Sequence, residues 1–244
     1  MPSEKKSIVY NMNGNNNHVL ITGCSSGIGA ALTQIYLNQG CRVSGFSRRP
    51  VDLSHPSFYH VICDVGNSES IKSSTQKVMN RWGIPEILIN NAGVGYFGFL
   101  ENLSEEQWKE MFSVNIFAII ELCRIVIPGM KQKGKGHIVN IASTAGLEGM
   151  AQVSAYASTK WAVRGLSESL WRECRDEGIK VTCVYPGAVK TEFFKNSPGI
   201  QPHDYMLDPK EVGQSIYELT QSTANFHPVN FEIRPLRPKG LKNK

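Results

Sequence analysis

Val19-Leu20-Ile21-Thr22-Gly23-Cys24-Ser25-Ser26-Gly27-Ile28-Gly29-Ala30-Ala31-Leu32 runs from a short apolar stretch through a glycine-rich turn straight into helical periodicity. A pyrophosphate can sit against a helix N-terminus only where the backbone comes close, and Gly23, Gly27 and Gly29 carry no Cβ to hold it off. The unpaired N–H groups of the first helical turn, with about half a positive charge from the helix dipole, face such an anion. A glycine-rich turn alone also reads as a tight structural turn. Its place between a first strand and a first helix favours a dinucleotide, with Ser25, Ser26 and Ile28 as the remaining residues of the cradle.

Outward from this turn, short apolar runs alternate with segments of helical period. Strands are expected at 19–21, 42–47, 59–63, 87–89, 137–141, 181–185 and 231–233, and helices at about 28–38, 68–82, 105–130, 154–177 and 209–221. Such β-α-β repetition predicts an α/β, doubly wound Rossmann fold: one domain with a seven-stranded parallel sheet flanked by helices on both faces. Ligands bind outside the carboxyl ends of such strands. The expected boundaries are a disordered or loosely attached extension at 1–16, a catalytic domain at 17–236 and a basic tail at 237–244.

The 244 residues, 41% of them hydrophobic, suffice for one large core. The net charge of +5 gathers in a lysine cluster at 131–135 and in the tail, without a recognition helix or stacking aromatic repeat, so solvated loops are favoured over a nucleic-acid surface. The six cysteines form no CxxC pair or metal-ligand cluster and read as buried reduced thiols. No signal-peptide pattern opens the chain, and no later segment reads as long enough in apolar sequence to span a bilayer. A cytoplasmic protein, with no metal, nucleic-acid or membrane partner, is expected.

The GxxxGxG spacing after Thr22 resembles the short-chain dehydrogenase/reductase family, and four further motifs extend the resemblance over residues 17–225 in the family's order. Asp64 and Val65 follow the third strand, where relatives hold the adenine. Asn90-Asn91-Ala92-Gly93 is similar to the family's NNAG motif: its first Asn braces the sheet and Ala92 and Gly93 line the cofactor. Pro186-Gly187 follows the sixth strand, with Val189 and Thr191 beyond; Thr191 stands where relatives bond the nicotinamide carboxamide. Ser143, Tyr156 and Lys160 match the catalytic set, and Asn115 matches the Asn that holds a water leading to the lysine.

The chemistry of that set can be read from the residues. Tyr156 and Lys160, four apart at the start of a helix, share one face. A free tyrosine has a pKa near 10, and a nearby ammonium with a positively charged nicotinamide favours its phenolate, bringing it toward useful acid–base strength. The resemblance implies that Ser143 orients the substrate oxygen and that Lys160 also bonds the nicotinamide ribose. The reaction implied interconverts a carbonyl and a secondary alcohol.

About 20 residues past the turn, a dinucleotide site needs an acid for a free ribose 2′-hydroxyl or a cation for a 2′-phosphate. Here stands Ser47-Arg48-Arg49. Ser47 tolerates the phosphate and Arg48 offers a bidentate guanidinium, so NADP is expected over NAD. Ser26 stands where many NADP-preferring relatives carry a second base, which removes one support. Substrate contacts are expected from Val94, Tyr96, Phe97, Met150, Ala188, Phe193 and the rest of a lid at 192–206. The ending Asn230-Phe231-Glu232-Ile233-Arg234-Pro235 is similar to 3-hydroxy acid dehydrogenases and broad carbonyl reductases, which points to a small hydroxy acid or ketone. A 3-oxoacyl thioester reductase and a non-catalytic NADP sensor are the alternatives. The helices at 105–130 and 154–177 carry more apolar surface than the sheet requires, and the resemblance, in which these helices pair across a two-fold axis, implies a homodimer or homotetramer.

Overall fold

Residues 16–196 and 203–237 are described in a computed structural model. The extension at 1–15, the basic tail from 238 and positions 197–202 of the expected lid lie outside the described residues. Seven strands, β1 (His18–Thr22), β2 (Arg42–Ser47), β3 (Phe58–Ile62), β4 (Ile87–Asn90), β5 (Gly136–Ile141), β6 (Ile179–Pro186) and β7 (Asn230–Ile233), form one all-parallel sheet. Their order is β3-β2-β1-β4-β5-β6-β7, so the connections leave β1 in one direction and β4 in the other. The crevice at the carboxyl ends of β1 and β4 is therefore the topological switch point.

Alternation along each strand decides which face each side chain covers. Leu20 joins the core with Phe46, Leu88, Leu122, Val126 and Val163, beneath α2 (Ser68–Trp82), α4 (Ala118–Lys133) and α5 (Ser154–Cys174). Val19 and Ile21 point the other way and pack with Leu32, Tyr36, Val212 and Ile216, from α1 (Gly27–Asn38) and α6 (Pro209–Thr220). Both faces are covered, which is why β1 is buried at every position.

The ends of the helices have local causes. Asn67 Oδ1 accepts the Ser70 N–H at 2.9 Å to cap α2. Before α3 (Glu105–Phe112), Ser104 and Gln107 form a reciprocal capping box. Gly134, at φ +61°, ends α4 in the left-handed region. All six cysteines are buried and unpaired.

Several boundaries differ from the sequence reading. The third strand lies one residue earlier than expected, because Ser44 to Ser47 pair with Tyr59 to Ile62. Pro186 is the last residue of β6 and not the first beyond it. The expected single helix at 105–130 is α3 and α4 joined by a π-helical turn, Ser113–Phe117, and α5 tightens into a 3-10 turn at Arg175–Glu177. By length and composition the continuous run Glu105–Lys133 would suffice to cross a membrane, which the sequence reading did not credit; half of its most apolar stretch is buried inside the domain.

The amino edge of the sheet carries buried imidazoles. His18 Nδ1 lies 3.1 Å from the Gly83 carbonyl and Nε2 2.9 Å from Ser44 Oγ. The carbonyl can only accept, so Nδ1 donates and Nε2 accepts from the hydroxyl. Trp82 meets the ring edge-on at 5.5 Å. Burial pushes His18 down to about 4 and His137, whose Nε2 pairs with Thr182, down to about 3.

Candidate active site

The glycine turn, the NNAG segment and the start of α5 meet at the switch point. A Cβ on Gly29 would fall 2.2 Å from the Gly23 carbonyl oxygen, and one on Gly23 2.9 Å from Asn91 Nδ2. Those glycines are what let the turn fold down onto the fourth strand. Thr22 and Asn91 lock it there: Thr22 Oγ1 accepts from the amides of Asn91 at 3.0 Å and Ala92 at 2.9 Å, and Asn91 Nδ2 donates to the Thr22 carbonyl at 2.8 Å. Ser26, the N-cap of α1, gives no side-chain cap. The first-turn amides after it thus remain available to an anion. A Cβ on Gly27 would meet Thr191 Cγ2 at 3.0 Å, which sets Thr191 against the turn. The residues present fit a dinucleotide: an uncapped helix start, a Cβ-free cradle and Ala92-Gly93 beside them.

Asn90 braces the sheet, as its motif implied. Its Nδ2 donates to Asn140 Oδ1 at 2.8 Å, Asn140 Nδ2 to Ser167 Oγ at 2.9 Å, and Ser167 Oγ to the Val163 carbonyl at 2.7 Å. This buried string ties β4 and β5 to α5 and so fixes the helix that presents Tyr156 and Lys160.

Tyr156 is 8% exposed and Lys160 4%. Lys160 Nζ donates to the Ile141 carbonyl at 2.9 Å and stands 5.5 Å from the centre of the Tyr156 ring. It would also lie 3.8 Å from a Cβ on Gly93. Ser143, just past β5, lies near enough to the Tyr156 phenol to favour its ionised form and accepts the Ala145 amide at 3.2 Å. Ser143, Tyr156 and Lys160 are thus brought together. Their electrostatics differ from the expectation: burial pushes the Tyr156 phenol up, offset only in part by Ser143, and pushes Lys160 down to about 8. In the chain by itself, burial dominates and the phenol is raised, where the sequence led to the expectation of a phenol drawn down.

Asn115 sits in the π turn with its side chain fully used. Oδ1 accepts the Val94 amide at 2.9 Å, and Nδ2 donates to the Val94 carbonyl at 2.9 Å and to Thr159 Oγ1 at 3.0 Å. It therefore buckles the segment after β4 to α5. The π turn is a feature that often marks functional positions, and no local sequence signal announces it.

Above Tyr156 lies an aromatic wall. Phe97 and Phe193 stand 5.3 and 5.6 Å from its ring, centre to centre, and Phe194 joins them 5.4 Å from Phe193. Phe194 was expected only as part of the lid. Val94 packs on the same cluster, and Ala188 accepts the Leu207 amide at 2.9 Å through its carbonyl. Val189 is buried and bridges to Leu207, while Gly187 donates to the Ile233 carbonyl at 2.8 Å. Of the other expected substrate contacts, Met150 is 52% exposed, and Tyr96 packs on the same cluster as Tyr156 while its hydroxyl donates to Glu110 Oε2 at 2.5 Å.

Past β3, where the adenine was expected, the Val65 side chain enters the core and Asp64 Oδ1 accepts the Gly66 amide at 2.9 Å. Ser47 Oγ donates to the Arg49 carbonyl at 2.7 Å and lies 2.7 Å from His60 Nε2. A hydroxyl has one proton to give, so the imidazole donates from Nε2. Held this way, Arg49 brings Nη2 to 3.4 Å from Ser26 Oγ. Arg49, which the sequence did not single out beside Arg48, thus stands next to Ser26 at the glycine turn.

Comparison with known proteins agrees with this geometry. Residues 17–199 match the family model for short chain dehydrogenases. A 3-ketodihydrosphingosine reductase of Bacteroides thetaiotaomicron is 36% identical over 178 residues, which cover 73% of this chain and 66% of that one. The 3-oxoacyl-[acyl-carrier-protein] reductase FabG of Vibrio cholerae is 29% identical over 221 residues, 85% of this chain and 91% of that one. The closed form of serine dehydrogenase complexed with NADP+ superposes with a TM-score of 0.85 at 29% identity, over 93% of this chain and 99% of that one. The chain belongs to the short-chain dehydrogenase family and is an oxidoreductase acting on alcohols and carbonyls.

Proposed function

We propose that this oxidoreductase reduces a ketone, and oxidises the corresponding secondary alcohol, with NADP(H) in preference to NAD(H). The observation that carries the reading is the buried Tyr156 phenol, with Lys160 Nζ 5.5 Å from its ring, beside Ser143 and the uncapped glycine turn. The cradle of Gly23 to Gly29, Ala92, Gly93 and Thr191 would hold the dinucleotide, with Lys160 on the nicotinamide ribose and Arg48 and Arg49 at the 2′-phosphate. Bound nicotinamide supplies or accepts the hydride. Ser143 and Tyr156 hydrogen-bond the substrate oxygen, and Tyr156 delivers its proton there as negative charge develops. The raised phenol is a proton donor at neutral pH, which suits reduction, and Lys160 as ammonium stabilises the phenolate left behind. Phe97 and Phe193 exclude water from that oxygen.

Of the two substrate classes expected from the sequence, the aromatic wall favours an apolar ketone over a small hydroxy acid. The resemblance to a 3-ketodihydrosphingosine reductase supports a ketone as substrate. A 3-oxoacyl thioester is the second reading, favoured by the match over 91% of the Vibrio cholerae reductase. A homodimer or homotetramer in the cytoplasm completes the proposal, supported by apolar surface left on two helices: Phe117 is 60% and Trp161 47% exposed.

Following NADPH absorbance across apolar ketones, keto esters, oxoacyl thioesters and, in reverse, hydroxy acids tests the proposal. Turnover of ketones with a lower KM for NADPH than for NADH is the expected result. Cofactor binding without turnover of any member would overturn it in favour of a non-catalytic sensor.

A further inference from the structure

Each arginine at the end of β2 already faces a carboxylate brought from another part of the chain. Arg48 Nη1 lies 3.7 Å from Glu110 Oε1 of α3, and Arg49 Nη1 lies 3.4 Å from Glu192 Oε2. The first pair is asymmetric in how its partners are held. Glu110 is anchored through its other oxygen by the Tyr96 hydroxyl at 2.5 Å, a bond that also raises the Tyr96 phenol. Tyr96 is itself held by its amide against Met111 Sδ at 3.4 Å. Arg48 is 61% exposed in its side chain and meets Glu110 across a long, solvent-screened gap, so it exchanges partners at small cost.

Resting on the NADP reading above, we infer that Glu110 is a specificity-determining residue for the cofactor: anchored by Tyr96, it competes with the 2′-phosphate for Arg48 and so moderates the preference for NADP. A phosphate monoester carries roughly −1.5 to −2 charges near pH 7 against −1 for a carboxylate, so it captures the guanidinium. The phosphate must still take Arg48 from Glu110 each time it binds. A free 2′-hydroxyl has no such contest to win, so removal of the Glu110 charge helps one nucleotide and not the other.

Glu110→Gln keeps an acceptor for Tyr96 and removes the charge. Calorimetric titration of the full chain with adenosine 2′,5′-bisphosphate and with 5′-AMP reads the effect without any turnover. The expected result is an about fivefold tighter bisphosphate, the size set by a solvent-exposed ion pair, with 5′-AMP unchanged. In an Arg48→Ala background the gain should disappear. An unchanged ratio of the two affinities, equal movement of both, or a gain that persists without Arg48 overturns the competition. The ratio in the unmodified chain tests the NADP reading separately. A bisphosphate no tighter than 5′-AMP there sinks that reading, whereas a tighter one with no response to Glu110→Gln sinks the inference alone.

Discussion

A phenol pushed up by burial holds its proton firmly, so Tyr156 acts as an acid without help and as a base only when positive charge arrives beside it. Replacement by Phe removes the proton and keeps the ring against Phe97 and Phe193. Turnover by Tyr156→Phe should fall at least about 10²-fold, while nucleotide titration stays within about twofold of the unmodified chain; retained turnover would remove Tyr156 from the proton path. Lys160, drawn down to about 8 by burial, is an ammonium below that pH and neutral above it. The reduction rate should therefore decline as pH rises through about 8, and a pH profile flat from 7 to 10 would contradict a role for its charge. At the end of β2, Arg49→Ala and Arg48→Ala should each raise KM for NADPH about tenfold, the value of one charge-assisted contact, with less effect on NADH. Equal effects on both cofactors would count against the assignment. The position of Arg48 just past β2 was legible in the sequence because the register of a strand end suffices to nominate it. Arg49 was not, because its reach to Ser26 depends on Ser47 Oγ holding its carbonyl, a contact between backbone and side chain that no spacing encodes.

Elements with one steady period were read closely: β2 and α2 match their expected limits, since alternation in one and capped amphipathic repeats in the other leave little freedom. The π turn at Ser113–Phe117 was invisible for the opposite reason. One extra residue in a helical turn scarcely disturbs an apolar pattern, and its cause is tertiary, the clamp of Asn115 on the Val94 backbone. Asn115→Ala would leave the Val94 N–H and C=O without that partner. A loss of about 2 kcal/mol in urea unfolding is expected, together with a fall in kcat, because both the NNAG segment and α5 lose a common fastening. A stable, fully active variant would show that the clamp is incidental. For Tyr96 the place after the fourth strand was legible, but the direction of its hydroxyl was not, because it is set by Glu110 on a separate helix.

For the molecule as a whole, the sheet segregates its polar chemistry. Catalytic and cofactor positions gather at the carboxyl edge, and His18 and His137 lie buried near the amino edge. Those imidazoles are neutral when folded and bind protons near 6.5 when unfolded. Their folded values are depressed, so stability is intact above about 6.5 and declines as pH falls toward about 4 for His18 and about 3 for His137. Each contributes a slope of about 1.4 kcal/mol per pH unit in that window. Chemical denaturation at pH 7 and pH 5 should show the loss, and His137→Gln should reduce its slope; pH-independent stability would contradict it. In assembly, Phe117→Asp or Trp161→Asp should convert an oligomer to monomer in light scattering, and an unaltered mass would place the interface elsewhere. The Trp82 indole set edge-on to His18 has one more consequence. When acid charges that imidazole in the folded chain, the indole, which already has Arg81 over its ring at 5.2 Å, gains a second cationic neighbour, so Trp82 emission becomes an optical reporter of titration at the edge opposite Tyr156.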